Sequence, residues 1–322
     1  MTRILLTGAG FSNNWGGLVA SEFFSRLLSA GLDARTRDLL FKSRAPGAGG
    51  FETVMTQLQG VHSNSPEDEK RLDDFTAAVV GIFNSMNNQF LYGNLEFQNE
   101  VRYMVRAFLE RFDAIFTLNQ DCLLEAQYFP GFVGGRFNAP ALPGTRVWGP
   151  QPHVQGTREE RIAVRTPDMD HYRIQPQTQP YFKLHGSSNW IIDGSSGRLL
   201  ILGGQKSASI GLHPLLGRYM QEFQDYLSRP GARLMIIGYG FNDEHINEQI
   251  ERAVENGLHI FIVDPRGVDV FDKFDKTAAI PGPPDPFAEK LRPSIIGEST
   301  KPLSQTFGAD HGEHTYLAGF FV

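Results

Sequence analysis

Arg3-Ile4-Leu5-Leu6-Thr7-Gly8-Ala9-Gly10-Phe11-Ser12 (RILLTGAGFS) opens the chain with a short apolar run that stops on two glycines. Its length and its leucine and isoleucine content suit a strand buried on both faces. Behind the glycines, Leu18, Phe23, Leu27 and Leu28 recur at helical spacing up to Gly31. Strand, glycine turn and helix in that order make the first unit of a parallel sheet covered by helices. The same logic reads further strands at 114–117 (AIFT), 181–184, 233–237 (RLMII) and 259–263 (HIFIV). A helix capped by Asp243 and running to about Asn256 separates the last two.

Apolar strands alternating with helices predict an α/β, Rossmann-like, doubly wound parallel sheet. Two departures from simple alternation stand out. Residues 34–111 read as a helical insertion: Ser65-Pro66-Glu67-Asp68 is a helix start, Leu72, Phe75, Val79, Phe83, Met86 and Phe90 mark one face, and a second helix carries Val101, Val105, Phe108 and Leu109. From 130 to 180 periodicity disappears and prolines recur, which reads as an irregular excursion. Phe132, Phe137, Trp148 and Tyr172 argue that this excursion is ordered. Residues 190–192 and 198–202 should pair as a hairpin across 193–197 (DGSSG). Beyond 270 the stretch 281–286 (PGPPDP) predicts an extended arm, and the apolar tail 315–322 (TYLAGFFV) must bury itself somewhere. The expected division is a domain over 1–270 and a C-terminal arm over 271–322, with the tail docking on another copy or a partner.

Composition excludes several functions. The 322 residues are 41% hydrophobic and 20% charged, an ordinary globular balance. Thirty basic against 36 acidic residues give a net charge of −6, so no positive field gathers nucleic acid or an anionic bilayer. The single cysteine, Cys122, allows no internal disulfide. The start of the sequence has neither a signal-peptide pattern nor an apolar span, so a cytoplasmic location is expected. Asp310-His311-Gly312-Glu313-His314 lacks a third metal ligand at recognisable spacing and reads as a solvated loop.

In an open α/β sheet the carboxyl ends of the strands line one crevice, where ligands bind. Here those ends carry Gly8-Ala9-Gly10-Phe11-Ser12, Thr117-Leu118-Asn119-Gln120-Asp121, Lys183-Leu184-His185-Gly186-Ser187, Gly238-Tyr239-Gly240-Phe241-Asn242-Asp243 and Asp264-Pro265. Taken alone, Gly8 to Ser12 is a candidate phosphate cradle, since backbone free of side chains can approach an anion. A β-branched residue at Gly10 should then block nucleotide binding. Asp243-Glu244-His245 has a simple reading as a helix start.

In order along the chain, GAGFS (8–12), TLNQD (117–121), KLHGSSNW (183–190), GYGFNDEHIN (238–247) and FIVDP (261–265) resemble the sirtuin-like NAD-consuming enzymes, within them the bacterial branch associated with antiviral defence. The resemblance spans about residues 1–270. It implies that Gly8, Ala9, Gly10, Phe11 and Ser12 hold the pyrophosphate of NAD, that Asn119 and Asp121 face the nicotinamide ribose and carboxamide, and that His185 is the catalytic histidine. It further implies that Gly238, Tyr239, Asn242 and Asp264 hold the adenosine half. A triggered enzyme of this kind needs a sensor, and the resemblance suggests a co-encoded HerA-type ATPase or similar partner, with homo-oligomerisation.

The departures from protein-deacylating sirtuins decide between activities. Those enzymes carry a four-cysteine zinc module, which one cysteine cannot build, so no metal is expected. Asn13-Asn14-Trp15-Gly16-Gly17-Leu18 stands where they continue into proline and a Phe-Arg pair, and Leu118 replaces a glutamine. Simple hydrolysis of NAD to nicotinamide and ADP-ribose is therefore the expected reaction. A protein deacylase or ADP-ribosyltransferase on the same scaffold, and a module that binds NAD or ADP-ribose without turnover, are the alternatives.

Overall fold

Ile4, Leu5 and Leu6 are fully buried, and Arg3–Thr7 (β1) accordingly lies inside a sheet with neighbours on both sides. The computed structural model describes residues 1–45, 50–93, 95, 100–129, 136–149, 158–192, 197–203, 206–271, 285–308 and 310–322. Phe132, the turn at 193–196, residues 281–284 of the proline-rich stretch and the side chain of Val101 lie outside the described residues.

Along the chain the other strands are Ala114–Thr117 (β2), Ala139–Ala141 (β3), Thr145–Val147 (β4), Arg165–Pro167 (β5), Thr178–Lys183 (β6), Gly186–Ile191 (β7), Arg198–Leu200 (β8), Arg233–Ile237 (β9), His259–Val263 (β10) and Ile295–Ser299 (β11). Seven form one sheet in the order β11-β10-β9-β1-β2-β6-β3, and every neighbouring pair is parallel. The chain winds outward from β1 in one direction through β2 and β6, then returns to the other side of β1 with β9. This is the doubly wound, Rossmann-like sheet read from the apolar runs. Its direction reverses between β1 and β9.

The register aligns the strand ends that matter. Lys183 pairs with Thr117, Thr117 with Thr7, Thr7 with Ile237, Ile237 with Val263 and Val263 with Ser299. One row thus crosses six strands, and the segments just beyond it emerge together along one edge of the sheet.

The helical insertion forms as its periodicity predicts. Ser65 caps Pro66–Tyr92 by accepting from the Asp68 N–H at 3.1 Å, and Phe75, Val79, Phe83, Met86 and Phe90 are buried. Asn87 of this helix donates to Ser188 Oγ at 2.9 Å and accepts from the Cys122 N–H at 2.9 Å, which ties the insertion to β7 and to the exit of β2.

Four expectations need correction. The excursion before 180 is not wholly irregular: β3 adds to the main sheet, while β4 and β5 join β7 and β8 in a second, four-stranded sheet. Strands of three residues carry too little periodicity to be read from sequence. The chain after 270 is not a separate arm either, because β11 pairs with β10 as the seventh strand of the main sheet. The tail docks on its own domain: Phe320 and Phe321 are buried, Phe321 lies edge-on to Phe108 and Phe112 at 5.5 and 4.9 Å, and Arg3 donates to the Phe321 carbonyl at 2.6 Å. Asp310 to His314 also differs from the expected loop, with Asp310 capping the helix His311–Ala318.

Candidate active site

The row of paired residues at the sheet edge leads directly into the predicted site. Two residues past Thr117 stands Asn119, and two past its register partner Lys183 stands His185. Gly8 follows β1, Gly238 follows β9 and Asp264 follows β10. All five emerge on one side of the sheet.

Hydrogen bonds join the first group. Asn119 Nδ2 donates to the Gly8 carbonyl and to Ser12 Oγ, both at 2.9 Å. With both amide hydrogens engaged, the Asn119 carbonyl oxygen is the polar atom left to meet a ligand or a water. Asp121 is buried, accepts from the Leu123 N–H at 3.0 Å and is bonded to Ser12. Burial raises its carboxyl, although Lys183, Leu123 and Ser12 oppose the shift. Asp121 therefore holds Ser12 and the helix Leu123–Gln127 in place from inside the protein. Cys122, its neighbour, is fully buried with its thiol pushed up to about 12 mainly by burial, as a packing residue should be.

The glycine turn is built differently from a free cradle. Gly8 N–H donates to the Ile237 carbonyl and Gly10 N–H to the Gly238 carbonyl, each at 3.0 Å, so two amides of the turn bind protein. A Cβ on Gly8 would sit 2.5 Å from the Gly238 oxygen, and one on Gly10 would sit 2.8 Å from the Gly238 Cα. These glycines let the β1 and β9 exits pack backbone against backbone. Ala9 is exposed and Gly10 half-buried, whereas Phe11 packs into the core at 5.1 Å from Trp15. In the facing loop Gly238 has φ +63°, Asn242 is exposed, and Tyr239 is buried with its hydroxyl on the Asp243 backbone and Asn247. Half-buried Asp264 accepts from the Arg266 N–H at 2.9 Å.

His185 lies where the chain leaves the main sheet for the second one. Gly186 makes that exit with φ +74°, and a Cβ there would strike the Leu199 carbonyl at 2.1 Å, so only glycine can follow the histidine. A family model described as the SIR2-like domain matches residues 113–280, just over half of the chain, including Asn119, His185 and the glycine loop after β9.

The chain belongs to the SIR2-like family. No curated protein matches it. Among solved structures, a Sir2 in complex with an inhibitor, 2'-O-acetyl-ADP-ribose and a deacetylated peptide is 12% identical, with 98% of this chain and 94% of that chain covered and a TM-score of 0.39. A mutant Sir2 homologue in complex with ADP-ribose is 14% identical, with 99% and 91% covered and a TM-score of 0.42.

Around His185 this SIR2-like chain gathers groups to which the sequence reading gave no role at the site. His185 Nε2 faces His245 Nε2 at 3.0 Å. Asp243 begins the helix Glu244–Glu255, but its carboxylate does not cap that helix: it accepts from Lys206 Nζ at 2.6 Å, and Lys206 also pairs with Glu52 at 2.9 Å. Burial pushes the His185 imidazole down to about 3, with Asp243 opposing and Lys206 and His245 reinforcing the shift. Burial also lowers His245. Asp243 is raised by burial, yet the neighbouring His185 and Lys206 more than offset this and hold it low. Gln120 clamps the backbone from the other side, donating to the carbonyls of His185 at 3.2 Å and Ile201 at 2.7 Å. Below the site Lys183 and Glu125 form a buried ion pair at 2.8 Å, and Lys183 also donates to the Asp121 carbonyl. Asp243-Glu244-His245, read as a helix start, held the missed signal; Glu52 and Lys206 reach the site only through the tertiary fold, and Gln120 stood in a quoted strand-end motif without a role. Among the described residues no helix is long and apolar enough to cross a membrane.

Proposed function

We propose that the chain is an NAD hydrolase that breaks the bond between nicotinamide and C1' of the ribose, giving nicotinamide and ADP-ribose. The reading rests on the row of register-paired strand ends that brings Asn119 and His185 to one edge of a SIR2-like sheet. The bond electrons leave with the ring nitrogen of nicotinamide, which departs neutral, and a water oxygen attacks the oxocarbenium-like carbon and loses its proton. Attack on a carbocation-like centre needs no strong base, but the water must be held. The Asn119 carbonyl oxygen can accept from that water. A His185 kept neutral by burial accepts a hydrogen bond from the water or a ribose hydroxyl without repelling the positive charge of the substrate. Asp121 acts through Ser12 and Asn119. Ala9 and Gly10 are the parts of the first turn open to the pyrophosphate, with Asn242 and Asp264 toward the adenosine half; Gly8, Phe11, Gly238 and Tyr239 shape these loops.

In this proposal the enzyme is a triggered, NAD-depleting effector of antiviral defence, held by assembly with its own copies and a co-encoded HerA-type ATPase or another sensor. Incubating the purified protein with NAD alone should release nicotinamide and ADP-ribose in equal amounts, and His185→Ala and Asn119→Ala should each abolish release while remaining folded. Turnover that requires an acylated peptide would transfer the chain to the deacylases. Tight ADP-ribose binding with no turnover, alone or with its partner, would make it a sensing module.

A further inference from the structure

We propose that His185, Asp243 and His245 form a binding site for one divalent transition-metal ion of the zinc class. The four-cysteine module of the deacylating sirtuins is absent, and these ligands come from elsewhere: one from the junction of β6 and β7, two from the start of the helix after β9. One donor atom of each residue lies within 4.8 Å of the other two, the only such grouping of three among the described residues. The two imidazole Nε2 atoms are 3.0 Å apart. A metal about 2.0–2.1 Å from each of two imidazole nitrogens holds those nitrogens roughly 3.0–3.4 Å apart, so the histidines already stand at ligating separation. A side-chain rotation of Asp243 completes a two-histidine, one-carboxylate set with one position open, which favours zinc-like ions over magnesium or calcium.

The surroundings of the ligands agree with this assignment. Lys206 lies between Asp243 and Glu52 at 2.6 and 2.9 Å. Lys206 engages one oxygen of Asp243, which keeps its second oxygen for an ion. The backbone that carries two of the ligands is held in place. Gln120 holds the His185 carbonyl, and the Tyr239 hydroxyl accepts from the Asp243 N–H at 3.1 Å. Without an ion the facing nitrogens can share only one N–H···N bond.

The site stands on ligand geometry and does not require NAD cleavage; an ion on His185 Nε2 takes the lone pair that would accept in the proposed hydrolysis, so ligation and that role are alternative states of one histidine. The test is calorimetric titration of Zn2+ into the full chain after chelator treatment and dialysis, with Mg2+ for comparison. One Zn2+ should bind per chain and Mg2+ should not compete. His245→Gln and Asp243→Asn should each weaken Zn2+ by at least about tenfold. A His311→Ala/His314→Ala variant, on the C-terminal helix, should leave affinity unchanged. Co2+ in the unmodified chain supplies a readout that needs no variant: intense visible bands are expected of a four-coordinate site. Sub-stoichiometric Zn2+ binding, unchanged affinity in folded His245→Gln, or the weak bands of six-coordinate Co2+ would each overturn the proposal.

Discussion

Gly10→Ala separates the two reasons a glycine can stand at that position. If glycine serves a ligand, alanine weakens nucleotide binding and leaves the fold alone. The structure gives the other reason. The added Cβ would lie 2.8 Å from the Gly238 Cα and 3.1 Å from the Gly238 carbonyl oxygen. Carbon atoms pack at about 3.5–4.0 Å, so the two loops must part by roughly 0.7 Å or more. Overpacking of this kind costs about 1–3 kcal/mol. Parting also stretches the Gly10 N–H to Gly238 bond, now 3.0 Å, which is worth about 1 kcal/mol. Against this, Gly10 sits within the short helix Ala9–Asn13, where alanine gains about 0.8–1 kcal/mol over glycine. The net loss is about 1–3 kcal/mol. Gly81→Ala is the control, since it lies inside the helix Pro66–Tyr92 with nothing within 4 Å of the new Cβ. It should stabilise by about 0.5–1 kcal/mol. Urea midpoints of both variants measure the difference. If Gly10→Ala proves as stable as Gly81→Ala while ADP-ribose binding falls, the loop-packing account fails and the glycine exists for the ligand.

Lys183→Met leaves the Glu125 carboxylate buried without its partner and should cost about 3–5 kcal/mol by urea unfolding, most of it recovered in Lys183→Met/Glu125→Leu. An undiminished midpoint in the single variant would show the pair is not what holds these strands. Phe321→Ala should cost about 3–5 kcal/mol in thermal unfolding without changing oligomer size. A stable variant with weakened self-association would return the tail to a docking role. For Asp33, burial raises the carboxyl but the Thr36 N–H and Arg71 more than offset it and hold it at about 2, against an unfolded value of 3.8. Its contribution is therefore present above about pH 4 and lost as pH falls toward 2. Asp33→Asn should flatten the fall in urea midpoint between pH 5 and pH 3, and an unchanged slope would place the acid sensitivity elsewhere.

How much of this was legible in the sequence follows from what each element asks of its residues. Strands buried on both faces must be continuously apolar, which is why 3–7, 114–117, 233–237 and 259–263 are visible as runs. β11 is not visible. As an edge strand it is half-exposed, its IIGES sequence carries a glycine and a glutamate, and it pairs with a strand more than thirty residues earlier. The tail misled because an eight-residue, mostly apolar segment looks like a free surface when its partners cannot be seen. Phe108, Phe112 and Phe261, which receive Phe320 and Phe321, lie over fifty residues away in sequence.

At the site, sequence reading named what sits at strand ends and missed what arrives from outside the sheet. Asn119 and His185 were legible because strand direction alone carries them to the crevice. Glu52 comes from the helix Gly50–Val61 of the insertion, and Lys206 from the short helix Lys206–Gly211 that follows β8 of the second sheet. Asp243 shows how a sound local rule can hide where a side chain goes. An aspartate before a helix is ordinarily a cap, and here it occupies the N-cap position while turning its carboxylate away from the helix amides to Lys206. A cap that forgoes its own hydrogen bond gives up about 1 kcal/mol of helix stabilisation. Its charged bond to the half-enclosed Lys206 offsets that loss, and the same turn brings the carboxylate to the facing histidines. The helix start is thus built around the cluster rather than around its own end.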